Sequence, residues 1–374
     1  MTFRKASAST YILVSLLIVA AIGLLTGLHA GLVRLGFLAG TASAISPMAH
    51  GPLMVNGFLG TLIGLERAAA LEKMWAYMAP VLLGISTILV LSGFMVPAKL
   101  LFIAGSFFLL AIMLYLYNMQ PVAHHLIMAL GAAALLVGNI LFLFDPPIFN
   151  LVAWWAGFPL LTIFGERLEL NRIMRPPKRA QHLFVALIVI WIAATAFSHI
   201  NRPIGWAGAS VSLIAQAGWL FKYDVARRTI RSVEWTRYSA ISLLTGYGWL
   251  VLAGLFSLWQ GFPTAGPMYD ALLHMIFVGF VFSMIFAHAS VIIPSLSGKL
   301  VPYHPYFYGP LLLLHGFLLI RVVGDLFWLP AIRKTGSYGN VAAILLFLGG
   351  ILFFLLRDGL RKRRQFSMNQ NKQA

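Results

Sequence analysis

Of the side chains able to bind a metal or move a proton, the histidines stand out: there are ten of them in a chain of 374 residues that has no cysteine. His29, His182, His199 and His304 fall in loops or at the ends of apolar runs, where water solvates an imidazole. His50 and His274 differ. Each sits near the same end of a long apolar segment, so both lie at about one depth if those segments cross a bilayer. Ionisable groups at membrane depth are costly and face protein or a cavity rather than lipid. Two imidazoles at one depth on two helices can ligate the two faces of a haem iron. The other role open to them is hydrogen bonding between helices. Asp270, one turn before His274, could orient the ring nitrogen that a metal leaves free. Gly57, Gly60 and Gly64 follow His50 at helical spacing and leave a stripe of bare backbone, and Gly279 follows His274. A flat ligand or a second helix could lie there.

A deeper set of polar residues follows. In a regular α-helix His288 shares a face with His274, roughly 21 Å further along at 1.5 Å rise per residue. His315 and the His124–His125 pair fall in the same half. His288, His315 and His125 could hold a second metal or haem, and a proton path explains them as well. Arg321 and Asp325 are spaced i and i+4, which predicts that they pair. Alternatively, Arg321 neutralises a haem propionate. Glu66-Arg67 and Glu166-Arg167 each end an apolar run. A glutamate suits a helix C-terminus poorly, so each is expected to find a cation, its own arginine being nearest.

These groups are carried by helices made for lipid. The composition is 60% hydrophobic and 10% charged, and apolar runs long enough to span a bilayer recur from end to end. The expected fold is an all-α polytopic membrane protein in one transmembrane domain over residues 1–374. About twelve spans are expected, near 9–28, 49–70, 75–95, 98–117, 121–144, 148–170, 181–199, 203–222, 237–258, 268–294, 307–327 and 338–357. Residues 359–374 read as a disordered basic cytoplasmic tail. Residues 29–48, rich in glycine and alanine, suit a loop, a re-entrant piece or a continuation of the first helix. The first span lacks a cleavage site and reads as retained.

The net charge of +17 does not imply nucleic acid, because it is distributed by side. Most lysines and arginines fall in alternate loops, with Arg34, Lys99, Arg202, Arg333 and Lys334 on the opposite side and Arg321 within a span. By the positive-inside rule both termini are cytoplasmic, in the inner membrane of a cell. The absence of cysteine excludes thioether-linked haem, iron–sulfur clusters, thiolate copper centres and disulfides. There is also an internal echo. Gly57-Phe58 precedes Glu66, Gly157-Phe158 precedes Glu166 and Gly279-Phe280 precedes His288, at one separation and on every fourth span. That spacing predicts three quasi-repeated blocks of four helices.

His50 with Met54, Gly57 and Phe58 resembles the signature opening the second span of the NnrS family, haem- and copper-containing twelve-span proteins linked to nitric oxide metabolism. His274, Gly279 and Met284, with Ile320-Arg321-Val322, resemble that family's second signature. Pro52 stands where the family has a further histidine, and Ser297-Gly298-Lys299 replaces its Gly-His-x-Gly-Arg turn. The resemblance implies metal-centre roles for His50 and His274, with haem b and copper as cofactors. The four-by-three plan is also similar to the catalytic subunit of haem-copper oxidases, in which spans two and ten hold a low-spin haem. No histidine on span six, and no internal pair on span seven, matches that family's second metal site.

Three functions are compatible with these residues. The first is a b-type haem protein that handles a small diatomic ligand such as nitric oxide or passes electrons from quinol or a separate redox protein. The second is a proton- or ion-coupled transporter using Glu66, Glu166 and His288. The third is an assembly factor for a respiratory complex. They differ in cofactor content, in flux and in partners.

Overall fold

Hydrocarbon offers no partner to a backbone amide, so a segment crossing it must satisfy its own N–H and C=O groups as a helix. The computed structural model describes residues 8–37 and 46–371, residues 360–371 as helical backbone, and among these there is no strand. The long helices are α1 (Ala8–Arg34), α2 (Pro47–Leu71), α3 (Met74–Leu91), α4 (Met95–Met119), α5 (Ala123–Leu143) and α6 (Val152–Leu170). They continue with α7 (Lys178–Phe197), α8 (Arg202–Tyr223), α9 (Glu234–Gln260), α10 (Gly266–Ser297), α11 (Pro305–Leu326) and α12 (Pro330–Asn371). Among the described residues, 11 of these helices are long and apolar enough to cross a membrane. The protein is a multi-pass helical membrane protein. Helix α6 is the exception, because Glu166, Arg167 and Glu169 crowd its last turns.

The reason α6 tolerates those charges is its position. Nearly every residue from Val152 to Leu168 is buried, so its charged groups meet protein and not lipid. Helices α2, α6 and α10 touch one another pairwise and form the centre. Phe164 of α6 packs against Phe280 of α10 with ring centres 5.9 Å apart, and Phe58 of α2 lies 6.1 Å from Phe282. The outer helices present apolar side chains to the surroundings, as Ile18, Phe107, Val189, Leu252 and Leu312 do.

Two of the three central helices are not regular. Leu53–Gly60 in α2 and Met275–Phe282 in α10 are π-helical. Their hydrogen bonds skip five residues instead of four, so each turn takes more residues and the side chains beyond it change phase. When Gly57-Phe58 is laid on Gly279-Phe280, the two π segments coincide from first residue to last. This overturns the expectation that His274 and His288 share a face, which assumed an unbroken α-helix between them.

The glycine stripe of α2 seats helices, not a ligand. A Cβ at Gly57 would run into Thr87 of α3, one at Gly60 would crowd Leu83, one at Gly64 would touch Pro80, and one at Gly23 of α1 would meet the Gly57 backbone at 2.8 Å. Small residues let backbones approach closely, which is how helices gain dispersion contacts where lipid removes the hydrophobic drive. Gly57, expected at the cofactor, is therefore a packing residue, and Gly279 is covered by Trp249.

Two loop expectations also change. The first helix extends to Arg34, so part of 29–48 continues it; residues 38–45 lie outside the described residues. The basic C-terminal stretch, expected to be disordered, continues α12 as helix to Asn371.

Candidate functional site

The His50 end of the bundle contains a cavity of about 250 Å³ between α1, α2, α6, α10, α11 and α12. That is near the lower end of the usual range for small-molecule sites. His50 and His274 both line it, with their ring centres 6.2 Å apart and their planes 15° from parallel. Each ring is fixed by its Nδ1. His50 Nδ1 donates to the Gly27 carbonyl at 2.8 Å, and His274 Nδ1 donates to the Asp270 carbonyl at 2.7 Å. A carbonyl can only accept, so in both neutral rings the proton is on Nδ1 and the lone pair is on Nε2. A carbonyl on the far ring nitrogen is the usual outer partner of a metal-ligating histidine.

The surroundings of these rings are built from small and polar residues. A Cβ at Gly31 would lie 2.8 Å from His50 Nδ1, so α1 has bare backbone where the imidazole rests. Met54 lines the same cavity, its sulfur against Gly27. Asp270 holds His274 through its backbone carbonyl. Its carboxylate, 3.4 Å from Nδ1, instead accepts two hydrogen bonds from Arg321, at 2.8 and 2.9 Å. The expected Arg321–Asp325 pair is absent; Asp325 faces Arg333 at 3.8 Å, and neither of its oxygens accepts a hydrogen bond. The i,i+4 spacing allowed the local pair, but a planar guanidinium gains more from a bidentate carboxylate on the next helix. Arg34 and Arg333 also line the cavity, and Arg34 has no ion-pair partner among the described residues.

A network that sequence reasoning missed supports one wall. Asn56, fully buried in the π segment of α2, accepts a hydrogen bond from Asn139 Nδ2 at 2.8 Å. Asn139 in turn accepts one from Trp155 Nε1 at 3.0 Å, and Trp155 lines the cavity. Asparagine in an apolar run was the available signal, since an amide in lipid must find partners. Asn139→Ala leaves Trp155 Nε1 and Asn56 Oδ1 buried and unpaired, at about 1–3 kcal/mol each. We expect a lower midpoint in detergent unfolding, and no rescue by Asn139→Asp, whose carboxylate cannot donate to Asn56 Oδ1 or the Phe102 carbonyl.

A family model described as Domain of unknown function (DUF8744) matches residues 13–355. The chain belongs to this family. No curated protein matches it. In this DUF8744 protein the match runs from α1 to α12 and takes in both cavity histidines.

The other polar candidates of the DUF8744 chain gather at the opposite end of the central helices, and not as a metal centre. Among the described residues no three histidine, aspartate or glutamate side chains converge as ligands. His288 donates from Nδ1 to the Met284 carbonyl and accepts from Arg167 Nη2, each at 2.6 Å, so its lone pair is in use. His315 accepts from Trp249 Nε1 at 3.0 Å, and His125 is tied to the Gln120 carbonyl at 3.0 Å. Arg67 pairs with Glu166 rather than with its neighbour Glu66. The arginine ending α2 thus reaches the glutamate of α6, and the arginine ending α6 reaches His288 of α10.

Proposed function

We propose that this protein is a membrane b-type haem protein, with His50 and His274 as the two axial ligands, that passes electrons. The observation carrying this reading is the geometry of the two rings. A metal–imidazole bond of about 2.0 Å plus about 1.2 Å from nitrogen to ring centre, on each side, gives roughly 6.4 Å between ring centres. The 6.2 Å between the two ring centres is compatible with one metal held by both imidazoles. The cavity beside them is lined mainly by apolar side chains, Leu and Val most often, with Arg34 and Arg333 able to meet the carboxylates of a tetrapyrrole. When bound, haem supplies one-electron chemistry. With His50 and His274 both holding the iron, the site would favour electron carriage over binding of a diatomic ligand such as nitric oxide.

The protein's own residues would fix the site's properties. The Gly27 and Asp270 carbonyls hold both imidazoles with Nε2 free, raising their basicity as ligands. Asp270 and Arg321 neutralise each other at the edge of the cavity, so neither leaves a net charge beside His274. A partner, quinol or a separate redox protein, would exchange electrons at the cavity mouth near Arg34. The charge distribution supports an inner-membrane orientation with both termini cytoplasmic, which sets this mouth on the outer side.

Three quasi-equivalent blocks of four helices are part of this proposal. Their support is the head-to-tail contact of Arg67 with Glu166 and Arg167 with His288, and the register of the two π segments. In that register His274 corresponds to Pro52, so the two histidines come from unequal positions of the repeat.

The test is the pyridine haemochrome and the metal content of protein purified in detergent from haem-replete cells. We expect a b-type haemochrome and iron in equal amount to haem. Copper without haem would reassign the two imidazoles and Met54 to a copper centre. A colourless, folded protein would overturn the reading and leave ion-coupled transport as the leading function.

A further inference from the structure

Polar side chains at the Arg67 end of the central helices form one continuous buried cluster. It runs from His124 on α5, through Arg172, Glu169, Arg67, Glu166 and Glu66, to Arg167, His288, Asn171, Asp224 and Tyr247. Several of its members are unsatisfied although they have no access to bulk solvent. Arg67 Nε, Arg167 Nε, Asn171 Nδ2, His124 Nε2, Asp224 Oδ2 and Tyr247 Oη all lack hydrogen-bond partners. Asn171, Asp224 and Tyr247 are fully buried, and Arg167 is 2% exposed. Orphaned buried polar groups on this scale mark internal water or an ion.

The chemistry of the orphans distinguishes these. Arg67 Nε, Arg167 Nε and Asn171 Nδ2 donate, Asp224 Oδ2 accepts, and the Tyr247 hydroxyl does both. Water satisfies such a mixture. An anion would meet four carboxylates. Those of Glu66, Glu166, Glu169 and Asp224 outnumber the guanidiniums of Arg67, Arg167 and Arg172 by one, so with neutral histidines the cluster is short of one positive charge. A proton fills that deficit at the least desolvation cost.

Asp224 is the member best built to take it. Its Oδ1 accepts from the Ala226 N–H at 2.7 Å, while its Oδ2 lies beside the Tyr247 hydroxyl and Arg167 without closing a hydrogen bond to either. The cluster reaches water at Glu169, whose side chain is 45% exposed, and at exposed Arg172. Both border the turn that carries Arg175 and leads to Lys178 and Arg179 at the start of α7. We propose that this cluster is a water-filled proton-uptake site opening to the basic face of the bundle, with Asp224 as the group that takes the proton. A proton from bulk water joins the Asp224 carboxylate, and the cluster passes from a net charge of one negative to neutral. Burial also pushes this carboxyl upward from the usual range, against the nearby Arg167. The inference does not depend on haem.

The experiment is infrared difference spectroscopy of the full-length protein titrated from acid to alkaline pH, in H2O and in D2O. We expect a protonated-carboxyl band that titrates above the usual carboxylate range, shifts promptly on exchange into D2O, and is missing in Asp224→Asn. Asparagine keeps the acceptor for the Ala226 N–H, so this variant should fold. Tyr247→Phe, which removes only the hydroxyl beside Oδ2, should move the band. A band that persists in Asp224→Asn, or none in wild type, overturns the proposal. A band that resists D2O exchange overturns the uptake role. If Asp224→Asn does not fold, an unmoved band in Tyr247→Phe is decisive against it.

Discussion

On the proposed haem reading, His50→Ala and His274→Ala will each remove the b-type absorbance expected of the purified protein, while His315→Ala will leave it unchanged. Both rings line one cavity, nearly parallel and with centres 6.2 Å apart, so the proposed metal would draw on both of them. Losing only an outer partner of a ligating histidine costs about 10–100-fold in metal affinity, and losing the ligand itself must cost more. A loss of at least about 100-fold in haem affinity is therefore expected at either position on that reading. Gly31→Leu should do the same by a different route. Its Cβ alone would come within 2.8 Å of His50 Nδ1, so the side chain must displace the ring. If His274→Ala loses the spectrum and His50→Ala keeps it, the paired-imidazole assignment fails even though haem is present.

Arg321→Leu will destabilise the protein severely, and removing Asp270 as well will recover most of the loss. Arg321 is 7% exposed and gives both of its hydrogen bonds to Asp270, one turn before His274. Breaking a buried pair from one side strands a charge at a cost of about 3–5 kcal/mol, whereas replacing both members can be nearly neutral. A thermal-unfolding cycle over Arg321→Leu, Asp270→Asn and the double variant should show strong coupling. Arg321→Lys should recover only part, because an ammonium cannot bind a carboxylate through two parallel N–H groups. Additive losses across the cycle would mean that the two side chains act independently. Packing makes the site sensitive to a neighbour too: a Cβ at Gly336 of α12 would lie 2.4 Å from the Arg321 backbone nitrogen.

The membrane class was legible without a structure, since apolar runs of bilayer length have one solution in hydrocarbon, a self-satisfied helix. The histidines worth attention were legible for a related reason. An imidazole inside such a run is costly unless it has a partner, and His50 and His274 stood at one depth. What the sequence did not contain was the choice among partners. Arg321 had Asp325 at the favoured helical spacing and took Asp270. Arg67 had Glu66 beside it and took Glu166. In both cases a residue distant in sequence offered a better-aimed carboxylate, and spacing along one helix carries no record of the helix alongside.

The same limit explains the glycines and the π segments. A glycine stripe says that something approaches, and only packing determined that α1 and α3 do so rather than a ligand. In a helix buried all round there is no polar face to reveal a change of period, so Leu53–Gly60 and Met275–Phe282 left no mark in the hydrophobic pattern. Those extra residues per turn change which way His288 points relative to His274, while the length of helix between them separates the cavity at one end from the charged cluster at the other. The sequence by itself determined that the chain crosses a membrane as helices, and which side chains are too polar to face lipid. The tertiary structure alone decided which of them meet, because that depends on the phase and contact of helices far apart in the chain.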